Sequence, residues 1–92
     1  MITVAMLLAR VPDLDEQRLR LWIEQEWVRP TRRAGEPMFE DIDLARVQLI
    51  LDLDRMDVGG AAMPVVLSLL DQLHEHRRQM RRVVAVLEAR EK

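Results

Sequence analysis

Apolar residues recur along this chain at helical spacing in four segments, broken once by a stretch that reads as a hairpin. Ile2 to Val11 is apolar enough for a short helix, and Pro12 closes it because proline cannot continue the helical hydrogen bonding. Asp13 or Asp15 is placed to cap a second helix, with Asp15 and Glu16 favourable in its first turn. Leu19, Trp22 and Ile23 share one face of that helix, which is expected to run to about Glu26. Trp27 to Arg29 then leaves it in extended form, and Pro30 stops it. Thr31 to Met38 reads as a turn with Gly35 at its tip, and Phe39 beyond it suits a short β-hairpin, or wing. Asp41 or Asp43 is placed to cap a third helix that ends near Met56. Its apolar residues, among them Ile42, Val47, Ile50 and Leu53, cover more than one face, the pattern of a helix at the buried centre of a domain. Gly59 and Gly60 form the natural break after it.

The last helix starts near Ala61, tolerates Pro64 in its first turn and extends toward Arg90. Met63, Val66, Leu70, Leu73, Arg77, Met80, Val84 and Leu87 follow in steps of three and four, a heptad seam with one charged member, Arg77. A helix of this length projects past a small head, so its distal stripe needs cover. Pairing with a second copy through Leu70, Leu73, Met80, Val84 and Leu87 is one solution, and folding back onto the head is the other. The expected organisation is a head over residues 1–58 and a long C-terminal helix over 59–92, joined in one compact unit.

Composition narrows the function. Ninety-two residues make one domain with a small core, because a chain of this size buries only about two-thirds of its unfolded surface. The hydrophobic share is 49% and the charged share 33%, which places the chain among folded, soluble proteins. With two Trp, one Phe and no Tyr, the core must be built from Leu, Val, Ile and Met. The absence of Cys excludes disulfides, a thiolate nucleophile and Cys-type zinc sites. Neither a signal peptide nor a membrane span is visible, so the cytoplasm is the expected compartment. Net charge is −2, against the basic excess usual in nucleic-acid binders. Its distribution is uneven: residues 77–92 carry six bases and two acids, whereas residues 1–76 carry 14 acids and eight bases.

No catalytic constellation is present, and no cofactor is expected. His74 and His76 are two residues apart on a helix and point in different directions, so they cannot share a metal from that helix. Ser68, the single serine, has Leu67, Leu69 and Leu70 beside it and neither a base nor a strained turn. Gly59-Gly60 lacks the flanking Gly and Lys-Ser/Thr of a phosphate loop. Asp52, Asp54 and Asp57 lie in or at the end of a helix, without the ligand loop that calcium requires. Binding, rather than catalysis, is the implied activity.

Two resemblances say what is bound. The segment Leu19-Arg20-Leu21-Trp22-Ile23-Glu24-Gln25-Glu26-Trp27-Val28-Arg29-Pro30-Thr31-Arg32 resembles, without a gap, the L-R-Y-Y-E-x-x-G-L-x-x-P-x-R pattern of MerR-like winged helix-turn-helix domains. Phe39-Glu40-Asp41-Ile42-Asp43-Leu44-Ala45-Arg46 looks like the aromatic and acidic-apolar start of the helix after that family's wing. The departures fall where DNA contact is made. Leu21 replaces a Tyr that touches the DNA backbone, Glu26 replaces a Gly, and Pro37 stands where the family carries an Arg. Arg18, Arg20, Arg32 and Arg33 remain as phosphate contacts on the DNA-binding reading, although Arg20 has Asp13, Glu16 and Glu24 as pairing partners nearby.

The second resemblance spans roughly residues 3–90. The order of a MerR-like head, a short break and an apolar helix with Leu67-Ser68-Leu69-Leu70-Asp71 is similar to the chaperone-modulator proteins of the CbpM type. It implies a mainly α protein, a homodimer, that grips the J-domain of a co-chaperone of the CbpA/DnaJ type and so keeps the partner of a DnaK-type chaperone idle. J-domains meet the chaperone through a basic helix, which a mostly acidic head complements in potential. Asp71 and Glu75, four apart on one helix face, are the first candidates for that contact, with Asp52, Asp54 and Asp57 behind them. Leu67 and Leu21 are the apolar candidates. For the acids the alternative is a solvated helix face, and for Leu67 it is core packing. DNA binding by a MerR-type regulator is the competing function.

Overall fold

The first two residues of the expected N-terminal helix are a strand instead. A computed structural model describes residues 1–91, in the order β1 (Ile2–Thr3), α1 (Val4–Arg10), α2 (Glu16–Glu24), β2 (Thr31–Arg33), β3 (Glu36–Phe39), α3 (Asp41–Arg55) and α4 (Ala62–Glu91). The protein is mainly helical, with one small antiparallel sheet in the order β1-β3-β2. Ile2 pairs with Phe39 and Thr3 with Met38. Both Ile and Thr are β-branched and suit a pleated surface. The Thr3 hydroxyl then accepts from the Met6 N–H at 3.3 Å and caps α1. The strand partner lies 37 residues away in sequence, where local periodicity cannot reveal it.

Asp15 caps α2, its carboxylate accepting the Arg18 N–H at 2.7 Å. The helix ends at Glu24, slightly before the expected Glu26. The Glu26 N–H bonds the Ile23 carbonyl and the Trp27 N–H bonds that of Trp22, at 3.0 and 2.9 Å. This closure holds Glu26 at φ +61°, a left-handed conformation that costs a residue with a Cβ about 1–2 kcal/mol.

The hairpin turns on Ala34 and Gly35, both with positive φ, as the right-twisting two-residue turn between strands requires. Arg33 faces Glu36 and Arg32 faces Pro37. The pair closing such a turn exchanges hydrogen bonds, so Pro37 turns its nitrogen away from β2. On that side β1 covers only Met38 and Phe39, and no ladder bond is lost.

Glu40, rather than the expected Asp41 or Asp43, is the N-cap of α3; its N–H donates to the Asp43 carboxylate at 2.8 Å. Arg46, Val47, Ile50 and Leu51 are buried, while Ile42 is exposed and Leu44, Leu49 and Leu53 are half-buried. The third helix therefore buries one broad side rather than its whole circumference. The chain divides into two units, Met1–Gly59 and Gly60–Lys92. The core of the first combines Leu7, Val11, Leu14, Leu19, Trp22, Val28 and Phe39 with the buried side of α3. The Arg46 guanidinium, itself buried, donates to the Trp27 carbonyl and ties α3 to the segment after α2. In the second unit Met63 and Leu67 are buried, Val66 and Leu70 are half-buried, and every described residue from Asp71 onward is exposed.

Candidate functional site

The face that a DNA reader would use is already occupied by the chain's own acids. On α2, the Arg18 guanidinium donates to Asp54 at the end of α3 at 2.7 Å and lies 5.5 Å from the centre of the Trp22 ring. One turn away along the helix, Arg20 bonds Glu16 at 2.7 Å. Arg55 of α3 pairs with Asp13 ahead of α2, and its other nitrogen lies 3.8 Å from Asp52. On the hairpin, Arg32 donates to the Gly35 carbonyl at 3.3 Å. Among the described residues Arg33 is the one candidate of the four without such a partner, and all of β2 is exposed. Each exposed pair contributes only about 0–1 kcal/mol to stability. A phosphate approaching these arginines also meets the negative charge of the acids beside them.

The same pairs involve the acids considered for a protein partner. Asp52 and Asp54 lie on the exposed side of α3, near Arg55 and bonded to Arg18 respectively. Asp57 follows at φ +64°, exposed; its N–H donates to the Asp54 carbonyl at 3.1 Å, and its carboxylate has no partner among the described residues. On α4, Asp71 and Glu75 are both exposed, and the Glu75 carboxylate is shared between Arg78 at 3.8 Å and Arg82 at 3.3 Å. The α3 acids belong to the first unit and the α4 acids to the second.

Leu67 is 2% exposed, so it does not present the surface anchor considered above; core packing is the role its burial supports. Leu21 is 50% exposed on the outer face of α2 and stays available to a partner. Of the five seam residues, Leu70 is half-buried and Leu73, Met80, Val84 and Leu87 are exposed at 46–63%, with Val83 and Val86 also in water. No covered apolar stripe looks like this. Four large side chains at heptad spacing on one helix exceed the scatter of single exposed hydrophobics normal for a surface.

The chain significantly matches no protein-family model, no curated protein and no solved structure.

One feature of the first unit was not visible in the sequence. A groove of about 870 Å³ lies between α2, the hairpin and the start of α1, with Val4, Leu19, Ile23 and Pro37 as its apolar lining. Glu16, Glu24 and Glu36 line it together with Arg20 and Arg32, a mixed but net acidic set. The helical period places Glu16, Arg20 and Glu24 on one line, but only the hairpin brings Glu36 and Arg32 opposite them. Among the described residues, no three His, Cys, Asp or Glu come together to hold a metal, and no helix is long and apolar enough to cross a membrane.

Proposed function

We propose that this chain is a protein-binding modulator of the CbpM type, which grips the J-domain of a CbpA/DnaJ-type co-chaperone in the cytoplasm and withholds it from its DnaK-type chaperone. In this reading the first unit is a MerR-like winged helix-turn-helix whose fold has been kept for protein recognition, and the second carries the homodimer seam. The observation that carries it is the neutralisation of α2. Both of its arginines, Arg18 and Arg20, are bound to acids of the same chain. The acids bonded to them bring negative charge onto the helix face that would meet phosphates in a DNA reader.

Two further features support the MerR-like part. The order α1, turn, α2, hairpin, α3 is that of a helix-turn-helix followed by a wing. Glu26, at the position where the resembled pattern has Gly, adopts the left-handed backbone that favours Gly. A retained backbone with a lost Gly fits a fold that has kept its frame while its surface changed task.

The inhibitory step needs no chemistry. An acidic surface attracts the basic helix that a J-domain offers to the chaperone, and occupying that helix removes the stimulus to the chaperone's ATPase. Complementary charge acts mainly on the association rate, so acids held in weak exposed pairs suit the task, since their partners exchange at little cost. Arg33, exposed and without an ion pair among the described residues, and the open edge of β2 favour DNA binding as the second reading.

The test is kinetic. Asp71→Lys with Glu75→Lys is expected to lower the association rate for a J-domain by about tenfold at low salt, with the difference shrinking at moderate salt. The change also releases Arg78 and Arg82 from Glu75, which adds to the reversal. Unaltered association rates at low salt would remove the α4 acids from the interface.

A further inference from the structure

We propose that the groove between α2 and the hairpin is a docking seat for a basic amphipathic helix of a protein partner. That helix places an apolar side chain in the groove and a Lys or Arg, one turn away, within reach of Glu24 and Glu36. The inference rests on the protein-binding reading above and adds to it a contact in the first unit, independent of the α4 acids. Among the charged residues of the groove, Arg20 is held by Glu16 at 2.7 Å and Arg32 donates to the Gly35 carbonyl at 3.3 Å. Glu24 and Glu36 are both exposed and have no ion pair among the described residues. Glu24 is the last residue of α2, and the last turn of that helix carries no basic residue. The partial negative charge of the helix C-terminus therefore adds to the Glu24 carboxylate, and both favour a cation from outside the chain.

The apolar lining requires that the occupant be amphipathic. Leu19 is buried, but Val4, Ile23 and Pro37 are half-buried and leave apolar surface that a partner can still cover. Every charged residue of the lining is exposed, so the groove is open along its length. An open groove suits a segment laid across it more than a small molecule enclosed on most sides. From Glu16 to Glu24, α2 runs about 12 Å, which matches roughly two turns of a helix lying beside it. Most of the lining comes from α2 and the central strand β3, whose backbone groups are largely engaged within the helix and the sheet. An occupant is therefore held by its side chains, as an amphipathic helix in a groove is, and not by strand addition. A phosphate backbone would meet three carboxylates there and bring no apolar group to Ile23 and Pro37.

The test titrates the full-length chain with a labelled synthetic helix that carries Leu and Lys at four-residue spacing on one face, and with the same helix carrying Glu for Lys. The Lys helix is expected to bind and the Glu helix is not. Glu24→Lys with Glu36→Lys is expected to weaken the Lys helix about tenfold at low salt and to let the Glu helix bind. A damaged fold cannot produce that reversal. Asp71→Lys with Glu75→Lys, the same charge change in the second unit, is expected to leave the Lys helix within about twofold. Equal binding of the two helices, or a Lys helix indifferent to the Glu24 and Glu36 reversals, would overturn the seat. So would duplex DNA that binds more tightly than the Lys helix and is lost with Arg20→Glu and Arg32→Glu. The Lys helix reports on the groove alone. Its binding without any J-domain response would sink the modulator reading and keep the seat, whereas J-domain binding with no Lys-helix binding would do the opposite.

Discussion

Phe39→Ala is expected to unfold the first unit near physiological temperature. Phe39 is fully buried and is the largest such side chain in the protein. It stands on β3, the central strand, which contacts α1, α3 and both neighbouring strands. Removing the ring takes away its transfer free energy and leaves a cavity that four surrounding elements cannot all close, at a cost of about 3–5 kcal/mol. A domain of this size has total stability near the lower end of the usual ~5–15 kcal/mol, so the loss is comparable to the whole. At about 4–8 °C per kcal/mol, the melting temperature of the full chain should fall by well over 10 °C, read from circular dichroism. A fall of only a few degrees would mean that β3 is not the centre of the core.

The second large effect is on assembly. Leu73→Asp together with Val84→Asp is expected to abolish self-association and leave the helix formed. Both side chains are about half exposed in the single chain, so the acids are well solvated there. In the pair they would lie in a dry seam without partners. An uncompensated buried charge costs about 3–5 kcal/mol, and four of them enter each dimer, so association should weaken by more than about a thousandfold even after relaxation. Sedimentation should then report one chain where the wild type reports two, with helical circular dichroism retained. An unchanged mass would show that the stripe is covered in some other way.

Much of this protein was legible from local pattern. The Pro12 and Pro30 stops, the Gly35 turn and the acids opening α2 and α3 are effects of neighbouring residues on the backbone, and they place the elements within a residue or two. The length of α4 follows in the same way from its unbroken three-and-four repeat. What was not legible depends on contacts distant in sequence. Ile2–Thr3 became a strand because β3 offers an edge. The side of α3 that carries Ile42 stays exposed because the head is too small to surround a fifteen-residue helix.

The site divides along the same line. That Arg20 has an acid one turn away is readable from spacing, and it does pair with Glu16. Arg18 with Asp54 and Arg55 with Asp13 join residues 36 and 42 positions apart, and only the fold brings them together. These two pairs change the functional argument most, since they neutralise charges that the sequence presents as open. Leu67 shows the reverse: a seam-adjacent leucine on a helix reads equally well as anchor or core until its burial is known.

On the proposed function, this fold recognises a protein and not a nucleic acid. The most direct test titrates the purified full chain with a J-domain from its host, with random duplex DNA as a parallel ligand, at low and moderate salt. Saturable J-domain binding at both salts, with negligible DNA binding, is expected. DNA affinity that falls steeply with salt, without any response to the J-domain, would contradict it and return the head to DNA binding.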